Sequence, residues 1–185
     1  MTFLDAHLTP RGRTQASTAS ATFAAALAAG LPAPQIYFVS PLDRCLETCS
    51  LTFASLSLPR DRSFRPRVRE LLRECIGEHT CDRRSERSAI EAAHPGFDLR
   101  EGFEERDELW RPDVRETDPE MDDRLRGCLD ELFAEAEAEG ATWLSLTTHS
   151  GAMGSIMRVL GHRPFAPHTG SVMPIVVKAV ERAKR

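Results

Sequence analysis

Long apolar runs are missing from this chain. The most apolar stretch, "ATFAAALAAGL", is eleven residues, well short of the roughly 20 that span a bilayer, so no membrane partner is expected. No basic segment with an apolar core follows Met1, where Asp5 already interrupts the run; the expectation is a cytoplasmic protein. The five cysteines (Cys45, Cys49, Cys75, Cys81 and Cys128) are odd in number and form no C-x-x-C pair, which argues against a disulfide framework and for reduced thiols. Excess positive charge is missing too: the formal net charge is -4, and no nucleic-acid partner is expected. No metal-ligand spacing stands out, and no metal or cofactor is expected. Repeats and low-complexity linkers are absent, so residues 1–185 read as one domain, large enough to bury about 70% of its unfolded surface.

What is there alternates between helix and strand signals. Thr14 to Ala29 is alanine-rich and closes on Gly30 and Pro32, a helix with its stop signals. "QIYFVS" reads as a short strand, and Pro41 sits where it would open a helix through "LDRCLETCSLTFASL". "RVRELL" reads as another strand and Arg83 to Ala93 as a helix. Phe97 to Asp118 is polar, acidic and without period, a long excursion over one face. In "DPEMDDRLRGCLDELFAEAEAEG", Met121, Leu125, Leu129 and Leu132 fall at helical spacing. "TWLSLTT" is then a strand, "GAMGSIMRVLG" a helix and "SVMPIVVKAV" a final strand. Such alternation favours an α/β fold with a mostly parallel sheet between helix layers.

Three places just after strands could carry chemistry. In "VSPLDRCLET", Arg44 lies in the first turn of a helix, where a guanidinium can present its fork to an oxyanion; the alternative is an ordinary exposed helix arginine. In "ELLRECIGEHTCDRRS", Glu74 follows a strand, and His79, Arg83 and Arg84 follow at loop spacing. A carboxylate among cations suits proton donation to a leaving group, against the plainer reading of a mixed-charge surface loop. In "TTHSG", His149 ends a strand, as a pocket ligand or as a satisfied structural histidine. Trp110 and Trp143 read as packing residues, Cys45 and Cys49 as buried thiols, and "AEAEAEG" as a solvated helix face.

The ordered set "LTPRGRTQA", "SPLDRCLET", "LLRECIG", "THSGAM" and "TGSVMPIVVK" resembles the histidine phosphatase superfamily, in its phosphoglycerate mutase-like branch, and "ECIGEHTCDRRS" is similar to small fungal members. The resemblance implies a three-layer α/β/α fold and phosphomonoester hydrolysis through a phosphohistidine, on a small phosphorylated or anionic molecule. It implies that Arg44 and His149 hold phosphoryl oxygens and that Glu74 is the acid/base carboxylate. His79, Arg83 and Arg84 would then line the substrate entrance with the Phe97–Asp118 excursion.

The family pattern opens with a strand ending in Arg-His-Gly, whose histidine is the nucleophile, and residues 1–185 contain no Arg-His-Gly. "DAHLTPRG" matches the segment that follows it, and His7 falls on a variable position there. The expectation is therefore a chain with a truncated active site, impaired in catalysis, whose N-terminal central strand is missing or replaced. About five core side chains at about 1.5–3 kcal/mol each would be lost with that strand, on the order of 10 kcal/mol, comparable to the about 5–15 kcal/mol stability of a whole domain. A second copy of the chain in a homo-oligomer, a repurposed "MTFLDA" or a reorganised core would have to compensate. Two other readings share the same pocket: a non-catalytic phosphoester-binding module, and a repurposed enzyme using Glu74 and the histidines for acid/base chemistry.

Overall fold

A computed structural model describes residues 3–165, 167–178 and 180. Nine regular elements alternate along it: α1 (Pro10–Ala28), β1 (Ile36–Val39), α2 (Asp43–Phe53), β2 (Pro66–Val68), α3 (Arg87–Ala93), β3 (Asp98–Leu99), α4 (Asp118–Ala138), β4 (Leu144–Thr147) and α5 (Ser150–Val159). The four strands form one sheet in the order β3-β2-β1-β4, and every ladder is parallel.

β1 is the centre of the molecule. Its four residues are all buried, as a strand covered on both faces requires. Tyr37 and Val39 point into one core with Phe23 of α1 and Leu46, Cys49 and Phe53 of α2. Ile36 and Phe38 point into the other with Met121, Leu125, Leu129 and Leu132 of α4 and Ala152 and Ile156 of α5. The two faces give the three-layer α/β/α arrangement that the family resemblance implies.

The helix ends follow from their sequences. Thr9 caps α1 by accepting the Gly12 N–H at 3.1 Å, with Pro10 at the first helical position, so the helix begins earlier than the alanine run suggests. Thr117 and Glu120 form a reciprocal capping box at α4. α3 starts at Arg87 rather than Arg83, because residues 80–82 form a separate single 3-10 turn.

One strand expectation is corrected. Residues 3–9 contribute no strand, in line with the expected loss of the N-terminal strand, and β1 pairs directly with β4 over four residues, from Ile36↔Leu144 to Val39↔Thr147. The run Ser171–Lys178, expected as a final strand, forms none, and Val176 is 97% exposed; Ala179 lies outside the described residues. β-branched residues stabilise a strand through neighbours on a ladder, and this run joins none. Pro174 at its middle has no N–H to donate to one.

Candidate active site

Because all the strands run the same way, their carboxyl ends open on one edge, where ligands gather in open α/β sheets. β1 leads through Ser40 and Pro41 to Arg44 in the first turn of α2. β2 leads through the 3-10 turn Glu70–Leu72 to Glu74, and β4 leads to His149 at the start of α5.

His149 is buried, 7% exposed. Its Nε2 lies 2.8 Å from Ser40 Oγ and 3.5 Å from Cys45 Sγ. Burial, with the positive charges of Arg44, Arg73 and Arg124, holds its pKa well below the ordinary imidazole value. A neutral imidazole ringed by cations is set to hydrogen-bond an incoming anion, whose charge would then favour its protonation. Cys45 does not compete as a nucleophile, since burial pushes its thiol up to about 12.

Glu74 lies against the start of α5. Its Oε2 accepts the Gly151 N–H at 3.1 Å and its Oε1 accepts the Cys75 N–H at 3.1 Å. The carboxylate thus sits on the N-terminal end of the helix that begins beside His149, where helix dipole and free N–H groups favour negative charge. A side chain at Gly151 would run into Glu74 Oε1.

Arg44 reaches the same edge, and its fork is engaged. Nη1 donates to the Cys81 carbonyl at 2.7 Å and Nη2 to Asp82 Oδ1 at 2.8 Å. Arg44 therefore ties the 80–84 loop to α2. A phosphate meeting this guanidinium would do so in competition with Asp82.

The rim residues separate. His79 and Arg83 are exposed; Arg83 lies over the Trp110 ring at 5.2 Å, and Trp110 Nε1 donates to the His79 carbonyl at 3.1 Å. Arg84, expected beside them at the substrate entrance, is 3% exposed. It donates to Glu70 and to the carbonyls of Ser85, Glu104, Glu105 and Arg106, which spends all five of its N–H groups and leaves none for a substrate. A recess of about 330 Å³ lined by Leu4, Arg83, Arg84, Ser85, Glu86, Arg106 and Asp107 lies beside this rim; His149, Arg44 and Glu74 do not line it.

Several residues that the sequence did not place in the site hold the edge together. Asp5 is 2% exposed with a left-handed backbone, φ 42°. One carboxylate oxygen accepts the Asp43 N–H at the start of α2 and the other the Ser85 N–H. Arg73, fully buried, pairs with both oxygens of Asp107 and with Glu70. His7 Nδ1 faces Asp43 Oδ2 at 2.5 Å, and His94 Nε2 faces Asp43 Oδ1 at 3.0 Å. His7 is thus engaged by Asp43 at the start of α2. In the sequence Asp5 stood out only as the first residue of "DAHLTPRG", and nothing in that wording says which N–H groups it satisfies.

Known proteins resemble this chain in sequence and fold. A family model described as the histidine phosphatase superfamily (branch 1) matches residues 3–172. A probable phosphoglycerate mutase of Arthroderma benhamiae is 46% identical over 178 residues, covering 96% of this chain and 52% of that protein. A probable phosphoglycerate mutase of Saccharomyces cerevisiae is 36% identical over 193 residues, covering 95% of this chain and 65% of the other. The chain therefore spans between half and two-thirds of these relatives' length. Among solved structures, a mycobacterial glucosyl-3-phosphoglycerate phosphatase superposes with a TM-score of 0.54 at 22% identity, covering 86% of this chain and 70% of that one. A structure titled mycobacterial hydrolase 2 superposes with a TM-score of 0.54 at 25% identity, covering 86% and 64%.

Proposed function

The chain belongs to the histidine phosphatase superfamily, and from that membership we propose that it binds a small phosphorylated molecule at the His149 edge of the sheet and acts on its phosphomonoester. His149 and Arg44 receive the phosphoryl oxygens, and Glu74 supplies the proton to the leaving oxygen. His79 and Arg83 on the rim select for an anionic substrate. Hydrolysis by residues 1–185 alone is slow, because no histidine here stands at the family's nucleophile position and loss of a nucleophile costs more than loss of a positioning group.

The observation that carries this reading is the convergence of the three side chains from three separate strand ends. Arg44 is close enough for its charge to act on the His149 imidazole, and Glu74 is bonded to Gly151, two residues beyond His149. A neutral histidine, a guanidinium and a carboxylate on a helix N-terminus are the parts that phosphoryl binding and leaving-group protonation require.

The deciding experiment measures vanadate or phosphate binding, together with phosphate release from an aryl phosphomonoester, for the chain and for His149→Ala, Arg44→Ala and His7→Ala. Anion binding that weakens by at least about tenfold in Arg44→Ala and His149→Ala supports the pocket, as loss of a charge-assisted hydrogen bond of about 1.5–3 kcal/mol implies. His7→Ala is expected to leave it in place. A folded chain that binds neither anion would overturn the reading.

A further inference from the structure

The loop carrying Glu74 is held through its carbonyl oxygens, and one side chain holds most of them. Arg124, on α4, donates from Nη1 to the carbonyls of Leu71 at 2.6 Å and Arg73 at 3.2 Å, and from Nη2 to that of Glu74 at 3.2 Å. The remaining carbonyl, of Leu72, accepts the Thr148 hydroxyl at 2.6 Å, next to His149. Four consecutive carbonyls that turn away from β2 are thus satisfied by α4 and by the end of β4.

Arg124 is itself fixed. Its Nε and Nη2 form a fork with the two oxygens of Glu116, each at 2.6 Å, and the two side chains are 9% and 11% exposed. Glu116 closes the circle on the same loop. Its carboxylate accepts the Ile76 N–H at 3.1 Å, its own N–H donates to the Ile76 carbonyl at 2.8 Å, and its carbonyl accepts the Cys75 thiol at 3.1 Å. Glu74 therefore has its carbonyl held from α4 and its carboxylate held from α5 through Gly151.

A buried carbonyl needs a donor, and a lysine or a water could serve one of them. A planar fork locked by a carboxylate does more, because it sets the direction of the donors as well as their presence. We propose that Arg124, with Glu116 as its counterion, is a positioning residue for Glu74: it fixes the Leu71–Glu74 backbone so that the carboxylate lands on the Gly151 N–H beside His149. The catalytic meaning of this role rests on the phosphomonoesterase reading; the geometry does not. Arg124 touches no reacting atom and acts through the loop.

The test follows the Gly151 amide by NMR as pH carries the Glu74 carboxyl through its titration, in the ¹⁵N-labelled chain and in Arg124→Gln and Arg124→Lys. In the parent chain the amide shift follows Glu74. Both variants are expected to lose at least about half of that excursion while the other α5 amides keep their positions, lysine included, because it keeps the charge and loses the fork. An unchanged Gly151 excursion in both would overturn the proposal. Should Arg124→Gln fail to fold, Glu116→Gln carries the same test with Arg124 still in place, and a full excursion there would overturn it equally.

Turnover supplies the readout that simple loosening would not move. Arg124→Gln should lower kcat/KM for an alkyl phosphate at least about tenfold more than for a nitrophenyl phosphate, since a poor leaving group needs the acid and a good one does not. Equal losses would mean general damage to the pocket and would overturn the positioning role. If the parent chain turns over neither ester, the phosphatase reading fails, and the Gly151 titration still decides the role of Arg124.

Discussion

Gly151 is glycine because Glu74 occupies the space a side chain would need. One carboxylate oxygen, Oε2, accepts the Gly151 N–H, and the other, Oε1, lies against the position of the missing Cβ. Alanine is favoured over glycine inside a helix by about 0.5–1 kcal/mol, and the intruding atom is the far end of a flexible side chain. Gly151→Ala is therefore expected to leave the melting temperature unchanged or slightly raised while displacing Glu74. Calorimetry beside alkyl-phosphate turnover checks this; a large loss of stability with turnover intact would contradict it.

His149 makes stability depend on pH. Its pKa is lowered in the folded state by burial first and then by Arg44, Arg73 and Arg124, so the fold favours the neutral ring. Its contribution is present above about 6.5, the unfolded value, and is lost as pH falls below it, with a slope of at most about 1.4 kcal/mol per pH unit. Urea unfolding at pH 7, 6 and 5 should show a steeper fall for the parent chain than for His149→Gln. Parallel slopes would mean that the histidine is not held neutral.

His7 shifts the opposite way. Its hydrogen bond to Asp43, then the charge of that carboxylate, raises its pKa. The contribution of this pair is present below about 6.5 and fades as pH rises through the raised value, and solvent screens it because the ring is 75% exposed. In Asp43→Asn the His7 ring protons are expected to titrate closer to 6.5, and an unmoved midpoint would show that Asp43 does not set it.

The Arg73–Asp107 pair is the costliest to break. Both side chains are essentially buried, at 0% and 1% exposed, and Asp107 also accepts the N–H groups of Arg84, Leu109 and Trp110. Removing one partner strands a buried charge, at about 3–5 kcal/mol. Asp107→Ala should lose about that much in chemical denaturation, and a loss under 1 kcal/mol would mean that Glu70 alone can hold the guanidinium.

The layers of this fold were readable because their signals are local. "IYFV" is continuous apolar β-former over the length of one strand, and Met121, Leu125, Leu129 and Leu132 repeat at the helical period; all eight side chains are buried. The order of motifs likewise placed Arg44, Glu74 and His149 at strand ends. Neighbouring arginines were not separable in that way: Arg83 rests on an indole at the surface while Arg84 is buried with every donor engaged. What decides between them is Glu70 and the 104–106 carbonyls, some twenty residues away. "AEAEAEG" hides a similar choice, for Glu135 and Glu139 are paired with Arg67, and Glu135 also with Arg69. The run 171–178 failed in the opposite direction, its local preference having no ladder to join. Arg124 carries no signature, since its importance lies in which carbonyls happen to face it.

The all-parallel sheet also sets an order in time. The β1–β4 ladder continues directly from the contact between Gln35 and Trp143, 108 residues apart in sequence, and no hairpin can form it early. While the chain is being made, β1 emerges long before β4, its future neighbour on that side. Until then an apolar strand with one open edge must wait, with only β2 able to cover the other. Ladders of such high sequence separation form slowly and leave surface exposed meanwhile, so the β1–β4 edge closes late.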